Sequence, residues 1–390
     1  MTLEELDAIQ EAICGEGHDG WLFCNFHHRD KLSDEILHIT PLSTNSRLWV
    51  YVIPARGDPL KIVHGVEVDA LDGLPGQQVV YRSRDAFIAA LKPLGNKQWG
   101  AHVSETLTAV SYLDAGTAAT FAAAGLRLVS AAGLVQRFKG LLDSRGIETH
   151  EKAATHLYDM VKVVWDRIEH AYTHTLIIHE GDIRALMQEE MHKRNLITDH
   201  PPIVGAGVHS GNPHYDFSGS GAVIQAGDVL QFDLWAKDAA EGSVYADISW
   251  VGVFGASADP KVEKAFADLI SAREGAYRFI EAELQAGRRP SGAAVDQRTR
   301  EILTGGGYEA FIKHRTGHGI DTECHGSGVN IDSVEFPDSR LLLDGSCFSL
   351  EPGIYFSDFG LRTEIDVYIV QGKPMVSGQE RQFSLLTVKN

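Results

Sequence analysis

Cysteine is scarce in this sequence and does not occur in a metal-binding spacing. The 390 residues include four cysteines, Cys14, Cys24, Cys324 and Cys347, and no Cys-x-x-Cys pair. So few cysteines argue against a disulfide framework and a zinc knuckle, and they predict reduced thiols. Cys324 directly precedes His325, and a cysteine beside a histidine could act as a thiol nucleophile. A small buried cysteine is the commoner case.

Long apolar runs and a basic, apolar start are also missing. The hydrophobic fraction is 44% and the charged fraction 23%, which is typical of a globular protein. No segment is apolar enough over sufficient length to predict a membrane span. The first residues, MTLEELDAIQEAICGEGHDG, are acidic and amphipathic, so we expect no signal peptide and a cytoplasmic protein.

Basic residues are outnumbered by acidic ones. There are 35 Lys and Arg against 53 Asp and Glu, which gives a formal net charge of -18. This charge disfavours nucleic acid and anionic membranes as partners, because both require phosphate neutralisation. A carboxylate cluster that binds divalent cations would compensate part of the negative charge.

The length predicts two domains. Residues 1–148 alternate apolar strands, such as WLFCNF and RLWVYVIP, with helical stretches, such as RDAFIAALKPL, and this rhythm predicts an α/β domain. Residues 149–390 begin with a long helix, THEKAATHLYDMVKVVWDRIEHAY, for which Thr149 is the expected N-cap. Further helices are expected in EGDIRALMQEEMHKRNL, PKVEKAFADLISAREGAYRFIEAEL and SGAAVDQRTREILTGGG, with strands between and after them.

Three histidines and two glycines lie close together in HRTGHGIDTECH, from His314 to His325. Histidines four residues apart could share one helical face. However, Gly317 and Gly319 flank His318, and each glycine costs a helix roughly 1 kcal/mol. We therefore expect strand and loop here, with His318 at a place of close backbone approach.

Two aspartates occupy strand positions in GDVLQFDLWAKDAAEGSVYADISWVGVFG. Apolar residues of the first run alternate with Gln231 and Asp233, so Asp233 is expected on the polar face. With Ala240 as the hairpin centre, Asp247 is expected directly across from Asp233. Two carboxylates about 5 Å apart destabilise a sheet unless a cation or proton lies between them. The alternative is that one of them faces solvent or a turn.

Two glutamates extend this set. Glu351 ends an apolar strand in CFSLEPGIYF, and Glu364 lies mid-strand in LRTEIDVYIV, where a lone glutamate is usually solvated. With His318, the four carboxylates form an oxygen-rich set that suits Mn²⁺, Co²⁺, Fe²⁺ or Zn²⁺. Two ions roughly 3.5–4 Å apart would use all of them and supply an activated nucleophile.

The order of these residues resembles the pita-bread metallopeptidases. The pattern HY, Asp, Asp, HxxxHGxxxxxxH, EPGxY and RxE runs from His214 to Glu364 and most resembles the two-domain branch of Xaa-Pro dipeptidases (prolidases) and Xaa-Pro aminopeptidases. The resemblance implies an α/β creatinase/prolidase-like N-terminal domain and an α+β C-terminal pita-bread domain, in which helices lie outside a curved antiparallel sheet.

The resemblance also implies roles for the matching residues. The expected metal ligands are Asp233, Asp247, His318, Glu351 and Glu364, with Asp247 and Glu364 bridging two ions. The expected catalytic residues are His214 on the substrate side, His325 at the scissile carbonyl or its oxyanion, His314 at the pocket wall and Glu351 as proton carrier. The expected substrate-binding residues are Arg362 and Tyr355, for which a structural role is an equal alternative.

Such a protein would hydrolyse Xaa-Pro bonds, as a dipeptidase or an aminopeptidase, by attack of a metal-bridging hydroxide. The implied cofactors are two divalent ions, with Mn²⁺ expected ahead of Co²⁺, Zn²⁺ and Fe²⁺. The implied partners are a small peptide with proline in second place and a second copy of the chain in a homodimer. Two alternatives stay open: action on a small non-peptide amide-type metabolite, and a peptide-binding pita-bread protein without catalysis.

The sequence departs from the family pattern at positions that affect the substrate. Asp233 and Asp247 lie further apart than the corresponding aspartates, so the hairpin tip KDAAEG is expected to protrude. Trp235 is bulkier than the residue expected there and could narrow the pocket. His27 and His28 match a first-domain loop that approaches a neighbouring subunit's site in relatives, although exposed surface histidines are the simpler interpretation.

Overall fold

The chain forms two compact units, Met1–Lys139 and Gly140–Asn390, in a computed structural model that describes residues 1–40 and 42–389. The first unit is α/β, and the second combines helices with antiparallel sheets, so the predicted fold class is confirmed. Within the described ranges, no helix has both the length and the apolar sequence that crossing a membrane requires.

The first unit is built on one mixed sheet. Its strands are β1 (Gly20–Asn25), β2 (Trp49–Pro54), β3 (Leu60–His64), β4 (Gln77–Tyr81), β5 (Gln98–Ala101) and β6 (Arg127–Ser130). They are arranged in the order β4-β3-β2-β1-β5-β6. The β1–β2 and β2–β3 pairs are antiparallel, and the other pairs are parallel.

Helices pack on both faces of this sheet. They are α1 (Leu3–Glu16), α2 (Lys31–Ile36), α3 (Arg84–Leu91), α4 (Ala115–Ala123) and α5 (Ala132–Phe138). Trp21 and Phe23 pack in a core with α1, α2 and α5, whereas Leu22 packs in a second core with α3 and α4. The alternation of side chains along β1 therefore supplies both cores.

The helices of the second unit follow the predicted segments. They are α6 (Ser144–Thr173), α7 (Glu180–Lys193), α8 (Pro260–Gln285) and α9 (Gly292–Gly305). The prediction of Thr149 as the N-cap of α6 is wrong, because the Asp143 side chain caps the helix by accepting from Gly146 N at 2.7 Å. The boundary predicted between residues 148 and 149 falls inside α6, whose first residue precedes it.

The strands of the second unit form separate groups that are mainly antiparallel. They are β7 (Leu196–Ile197), β8 (Ile203–Ala206), β9 (Val229–Asp238), β10 (Ala246–Val253), β11 (Cys347–Leu350), β12 (Gly353–Tyr355), β13 (Gly360–Arg362), β14 (Ile365–Val370), β15 (Lys373–Val376) and β16 (Leu386–Thr387). β9 pairs antiparallel with β7, β8 and β10, and β14 pairs antiparallel with β11 and β15. β12 pairs with β13, and β16 adds to β10 in parallel.

Apolar packing turns the polar faces of β9 and β14 away from the helices. Phe232 and Leu234 of β9 pack in one core with residues of α6 and α7. Ile365 and Val367 of β14 pack in another core with residues of α8. Because side chains alternate along a strand, the acidic residues beside these apolar ones lie on the opposite faces.

The register of the β9–β10 hairpin differs from the prediction. Asp247 lies opposite Trp235, and Ser249 lies opposite Asp233. The predicted direct pairing of Asp233 with Asp247 is therefore wrong by two residues. Because a two-residue shift preserves the face of each side chain, both aspartates still project to the same side.

The turn of the β9–β10 hairpin is asymmetric because the residues just before β10 form hydrogen bonds with other segments of the chain. Val244 N donates to Thr149 Oγ1 at 3.2 Å, and Tyr245 N donates to Asp321 O at 3.0 Å. These bonds remove Val244 and Tyr245 from the ladder. A symmetric turn about Ala240 is consequently not formed.

Candidate metal centre

Four carboxylates and one imidazole from distant parts of the chain meet in the second unit. Asp233 lies in β9, Asp247 in β10, Glu351 directly after β11 and Glu364 directly before β14, while His318 lies between α9 and β11. Asp247, His318 and Glu364 are buried, and the other two are half-buried. The structure thus brings together all five residues predicted as metal ligands.

The two glycines beside His318 allow close backbone approach, as expected from the sequence. A Cβ atom on Gly317 would lie 2.0 Å from Ser349 O, and one on Gly319 would lie 2.6 Å from the carbonyl carbon of Gly328. This closeness lets His318 N donate to Ser349 Oγ at 3.1 Å and His318 O accept from Ser349 N at 3.0 Å. The imidazole is therefore held by fixed backbone.

The imidazole of His318 presents a lone pair to the carboxylates. Its Nδ1 donates to Gly319 O at 3.3 Å, which leaves Nε2 3.5 Å from Asp247 Oδ2 and 3.6 Å from Glu351 Oε1. Burial lowers the pKa of His318 to about 3, so the ring is neutral. An unprotonated nitrogen that faces two carboxylate oxygens is the arrangement of a metal ligand.

Two of the carboxyl groups are buried without enough hydrogen-bond partners. Burial raises the pKa of Asp233, Asp247 and Glu364, and it raises that of Glu351 to about 8. Asp247 Oδ1 and Glu364 Oε1 are buried without a hydrogen-bond partner. Since buried polar atoms are rarely left unpaired, divalent cations fit this donor set.

The donor atoms divide into overlapping groups. Ligand atoms of Asp233, Asp247 and Glu364 lie within 4.8 Å of one another, and so do those of His318, Glu351 and Glu364. Glu364 belongs to both groups, and Asp247 Oδ2 also approaches His318. The arrangement is compatible with two neighbouring ions that share Glu364.

A hydrogen-bonded chain connects Arg362 to His314. Arg362 Nη2 donates to Asp233 Oδ2 at 2.5 Å, and Nη1 donates to the Tyr355 hydroxyl at 3.1 Å. That hydroxyl donates to His314 Nε2 at 2.7 Å, because His314 Nδ1 donates to the carbonyl of the next residue at 2.7 Å. Burial lowers the pKa of His314 to about 3. Both ring nitrogens of His314 are therefore engaged within the chain.

The two other histidines flank this centre. The His325 ring lies 4.3 Å from the His318 ring, and the interaction with His318, ahead of burial, lowers the pKa of His325 to about 4. His214 is exposed and follows Pro213, whose carbonyl accepts from Arg362 Nη1 at 3.2 Å. Neither histidine belongs to the donor groups of the described residues.

Comparison with known families decides the class of this protein. The model of metallopeptidase family M24 matches residues 147–371, which is more than half of the chain. The chain belongs to metallopeptidase family M24. Members of this family are peptidases that depend on divalent metal ions, in agreement with the donor groups described above.

Individual relatives agree with this assignment. The M24 chain is similar to the probable dipeptidase PepE of Mycobacterium tuberculosis, with 25% identity over 355 residues that cover 88% of this chain and 87% of the relative. It is 30% identical over 206 residues to the Xaa-Pro dipeptidase of Lactobacillus helveticus, covering 52% and 50% of the two chains. The crystal structure of dipeptidase PepE from Mycobacterium ulcerans shares the fold, with a TM-score of 0.72, 22% identity and coverage of 99% and 97%.

Ser249 is a residue of the M24 centre that the sequence analysis missed. Its hydroxyl is fully buried, and it lies 3.1 Å from Asp233 Oδ1 and 3.0 Å from Glu364 Oε2. It also accepts from Arg362 Nε at 3.1 Å. Because residues two apart share a strand face, its position two residues after Asp247 was the available signal.

Asp366 is a second missed residue. Its side chain is fully buried, and its Oδ2 accepts from Asp247 N at 2.7 Å. This bond fixes the backbone of one expected ligand against β14. Asp366 lies two residues after Glu364, on the same face, so the same signal was present in the sequence.

The departures from the family pattern have defined positions. Trp235 lies opposite Asp247 and donates from Nε1 to Asp199 Oδ1 at 2.6 Å. In the first unit, His27 is exposed, and His28 binds Asp34 Oδ2 at 2.8 Å through Nδ1. Both histidines adopt the left-handed backbone conformation.

Proposed function

We propose that this M24 metallopeptidase is a dinuclear enzyme that hydrolyses Xaa-Pro bonds. The observation that carries the proposal is the meeting of five ligand side chains in two groups that share Glu364. The names of its relatives, a probable dipeptidase and an Xaa-Pro dipeptidase, support the substrate class. The intact ligand set supports catalysis over simple peptide binding.

The proposed metal ligands lie in strands or in segments next to strands. Two divalent ions held there would lower the pKa of bound water, giving a nucleophile near neutral pH, and would polarise the scissile carbonyl. In our proposal Asp233 would hold one ion, His318 and Glu351 would hold the other, and Asp247 and Glu364 would be shared by both. Ser249 and Arg362 orient Asp233 by direct hydrogen bonds.

Other residues handle protons and developing charge in this proposal. The Glu351 carboxylate carries a proton from the attacking water to the leaving nitrogen, a role for which its half-buried position beside the ligands suits it. His325, beside His318, donates to the oxyanion, and His214 contacts the substrate from the exposed loop. His314 and Tyr355 support Arg362, since their polar groups bind one another.

If the substrate has proline at the second position, the enzyme must recognise it by contacts away from the scissile nitrogen. The tertiary amide before proline has no N–H to donate. The ring shape and the following carboxylate or chain must then select the substrate. Trp235, opposite Asp247, is a candidate for one wall of such a site.

The experiment is hydrolysis of two peptides by protein loaded with Mn²⁺, Co²⁺ or Zn²⁺. One is a dipeptide and the other a longer peptide, both with proline second, and matched peptides with alanine second are the controls. Cleavage of the dipeptide alone indicates a dipeptidase, and cleavage of the longer peptide indicates an aminopeptidase. Equal cleavage of the alanine peptides contradicts Xaa-Pro specificity. No cleavage, with two ions bound, favours a small amide-type metabolite as substrate.

Three further assignments stay proposals. We propose Mn²⁺ as the native ion because carboxylate-rich sites suit it, although cellular supply also selects among divalent ions. A homodimer and a cytoplasmic location are proposed from the family resemblance and from the sequence, respectively. Light scattering of the purified protein tests the first of these two, and cell fractionation tests the second.

A further inference from the structure

Cys324 places a thiol against the metal centre, and the proposed mechanism does not use it. Its Sγ donates to Asp247 Oδ2 at 3.0 Å, and the side chain is buried. The same Asp247 oxygen lies 3.5 Å from His318 Nε2. The donor atoms of Asp247, His318 and Cys324 all lie within 4.8 Å of one another.

The loop that carries Cys324 is held in place by its own hydrogen bonds. Asp321 accepts from Glu323 N, Ser327 N and Ser327 Oγ, each at 2.9 Å. Gly326 N donates to Gly319 O at 2.8 Å, which closes the loop next to His318. The sulfur therefore faces the carboxylates because of the loop conformation.

One orphaned oxygen of this group points to a cation. Asp247 Oδ1 has no hydrogen-bond partner, and the Asp247 residue is more than nine-tenths buried. The thiol satisfies only Asp247 Oδ2. A thiol, an imidazole lone pair and a carboxylate around one point form a donor set that differs from the oxygen-rich groups beside it.

We propose that Cys324, Asp247 and His318 form a third metal position that binds soft divalent ions such as Cd²⁺ in preference to Mn²⁺. Thiolate ligands favour such ions, whereas carboxylate ligands suit Mn²⁺. Zinc gives the scale of such a site, because bond lengths of about 2.0–2.3 Å in a tetrahedron place donors roughly 3.3–3.6 Å apart. The distance of 3.5 Å between His318 Nε2 and Asp247 Oδ2 fits this scale, and the sulfur, 3.0 Å from Asp247 Oδ2, would move away from that oxygen by about half an ångström.

Binding at this position is a ligand exchange without any redox step. The S–H bond breaks, the sulfur binds the ion, and the thiol proton passes to solvent. The ion brings two positive charges to a thiolate, a carboxylate and a neutral imidazole, so the buried group is neutral overall. This balance removes the cost of burying unpaired charge.

The third position excludes the catalytic pair. It uses Asp247 and His318, which are also expected ligands of the catalytic ions. A soft ion held by Cys324 would therefore leave the two-ion arrangement incomplete. The inference rests on the proposed function only in taking these two residues as ligands.

The test is a Cd²⁺ titration of the metal-free protein, followed by the ultraviolet thiolate-to-cadmium charge-transfer absorption. We expect this absorption in the wild type and in the control Cys347→Ser, which replaces the other buried cysteine of the same unit. Cys324→Ser and Cys324→Ala should lose this absorption and should bind Cd²⁺ at least about tenfold more weakly. Loss of a residue that only supports a metal ligand already weakens binding by about tenfold, and loss of the ligand itself should cost at least as much. Circular dichroism and thermal unfolding establish that the variants are folded.

Two outcomes overturn the inference. One is the absence of the absorption from the wild type, and the other is its persistence in folded Cys324 variants. The peptide assay with Mn²⁺ separates these failures from a failure of the proposed function. Cleavage of Xaa-Pro peptides without the cadmium absorption would support the proposed peptidase function and refute the thiol metal position. The cadmium absorption without peptide cleavage would support the thiol metal position and contradict the proposed peptidase function.

Discussion

At the scale of single residues, the state of His318 decides the chemistry of the centre. Its Nε2 carries no proton and faces oxygens of Asp247 and Glu351 at 3.5 and 3.6 Å. Lone pairs directed at each other repel, so this geometry is relieved by a cation or a proton between them. Two divalent ions would keep the imidazole neutral and would lower the pKa values of the carboxyl groups.

Removal of a ligand should therefore remove metal as well as activity. We expect His318→Ala or Glu364→Ala to abolish peptide hydrolysis and to lower the metal content below two ions per chain. Elemental analysis of the purified variants, with peptide turnover, measures both effects. Unchanged metal stoichiometry in either variant would show that the residue is not a ligand.

His325 should separate metal binding from turnover. Its ring packs edge to face against the His318 ring, with the centroids 4.3 Å apart, but it belongs to none of the donor groups of residues 1–40 and 42–389. We expect His325→Ala to keep both ions and to lose about 10²-fold or more in kcat, the effect of removing one oxyanion donor. His174→Ala, at the exposed end of α6, is the control. Wild-type turnover in His325→Ala would contradict the assigned role.

At the scale of elements, the segment between α9 and β11 that carries His318 requires residues without side chains on either side of it. A Cβ on Gly317 would meet Ser349 O at 2.0 Å, whereas one on Gly305, in α9, would meet nothing within 4 Å. We expect Gly317→Ala to displace His318, to destabilise the protein by about 1–3 kcal/mol or more and to weaken metal binding. Gly305→Ala should be neutral or slightly stabilising. Chemical unfolding and metal titration of both variants measure the contrast, and equal stability of the two would refute it.

The faces of the strands could be predicted from the sequence, but the turn between them could not. Alternation of apolar and acidic residues correctly assigns Asp233 to the polar face of β9, because burial of one face fixes this pattern. The pairing partner of Asp233 depends on where the turn begins. That is decided by bonds from Val244 and Tyr245 to distant segments, which no local pattern reveals.

The start of α6 was missed for a related reason. Thr149 and Asp143 are both acceptable N-caps, and the apolar spacing used for the prediction begins only after Thr149. The capping bond from Gly146 N to Asp143 decides between them. The meeting of the five expected ligands was predictable because it rests on residue order and on a family resemblance, whereas Ser249 and Asp366 carried only a weak local signal.

At the scale of the whole molecule, part of the negative charge is gathered where the ions are expected. The formal net charge is -18, and four of the carboxylates that contribute to it crowd into one centre of the second unit. Two divalent ions would offset all four of these charges. The stability of the second unit should therefore depend on metal and on pH together.

Metal removal should destabilise the protein more strongly as pH rises. Burial, with the charges of Asp247 and Asp233, raises the pKa of Glu351 from 4.5 to about 8, and the other site carboxyls are raised too. Between these pH values the folded metal-free protein retains protons that the unfolded chain releases. Its stability therefore falls as pH rises, by up to about 1.4 kcal/mol per pH unit for each such group.

Bound ions should remove this loss of stability at high pH because they take the place of the protons on the site carboxyl groups. We expect the difference in Tm between Mn²⁺-loaded and chelator-treated protein to widen from about pH 5 to about pH 8. Ligand at about 100 times its Kd adds roughly 2.7 kcal/mol, which is several degrees for a chain of this size. Glu351→Gln, which cannot titrate, should give metal-free protein whose Tm falls less steeply with pH than that of the wild type. A difference in Tm that stays constant or narrows would mean that these carboxyls are not protonated in the metal-free fold.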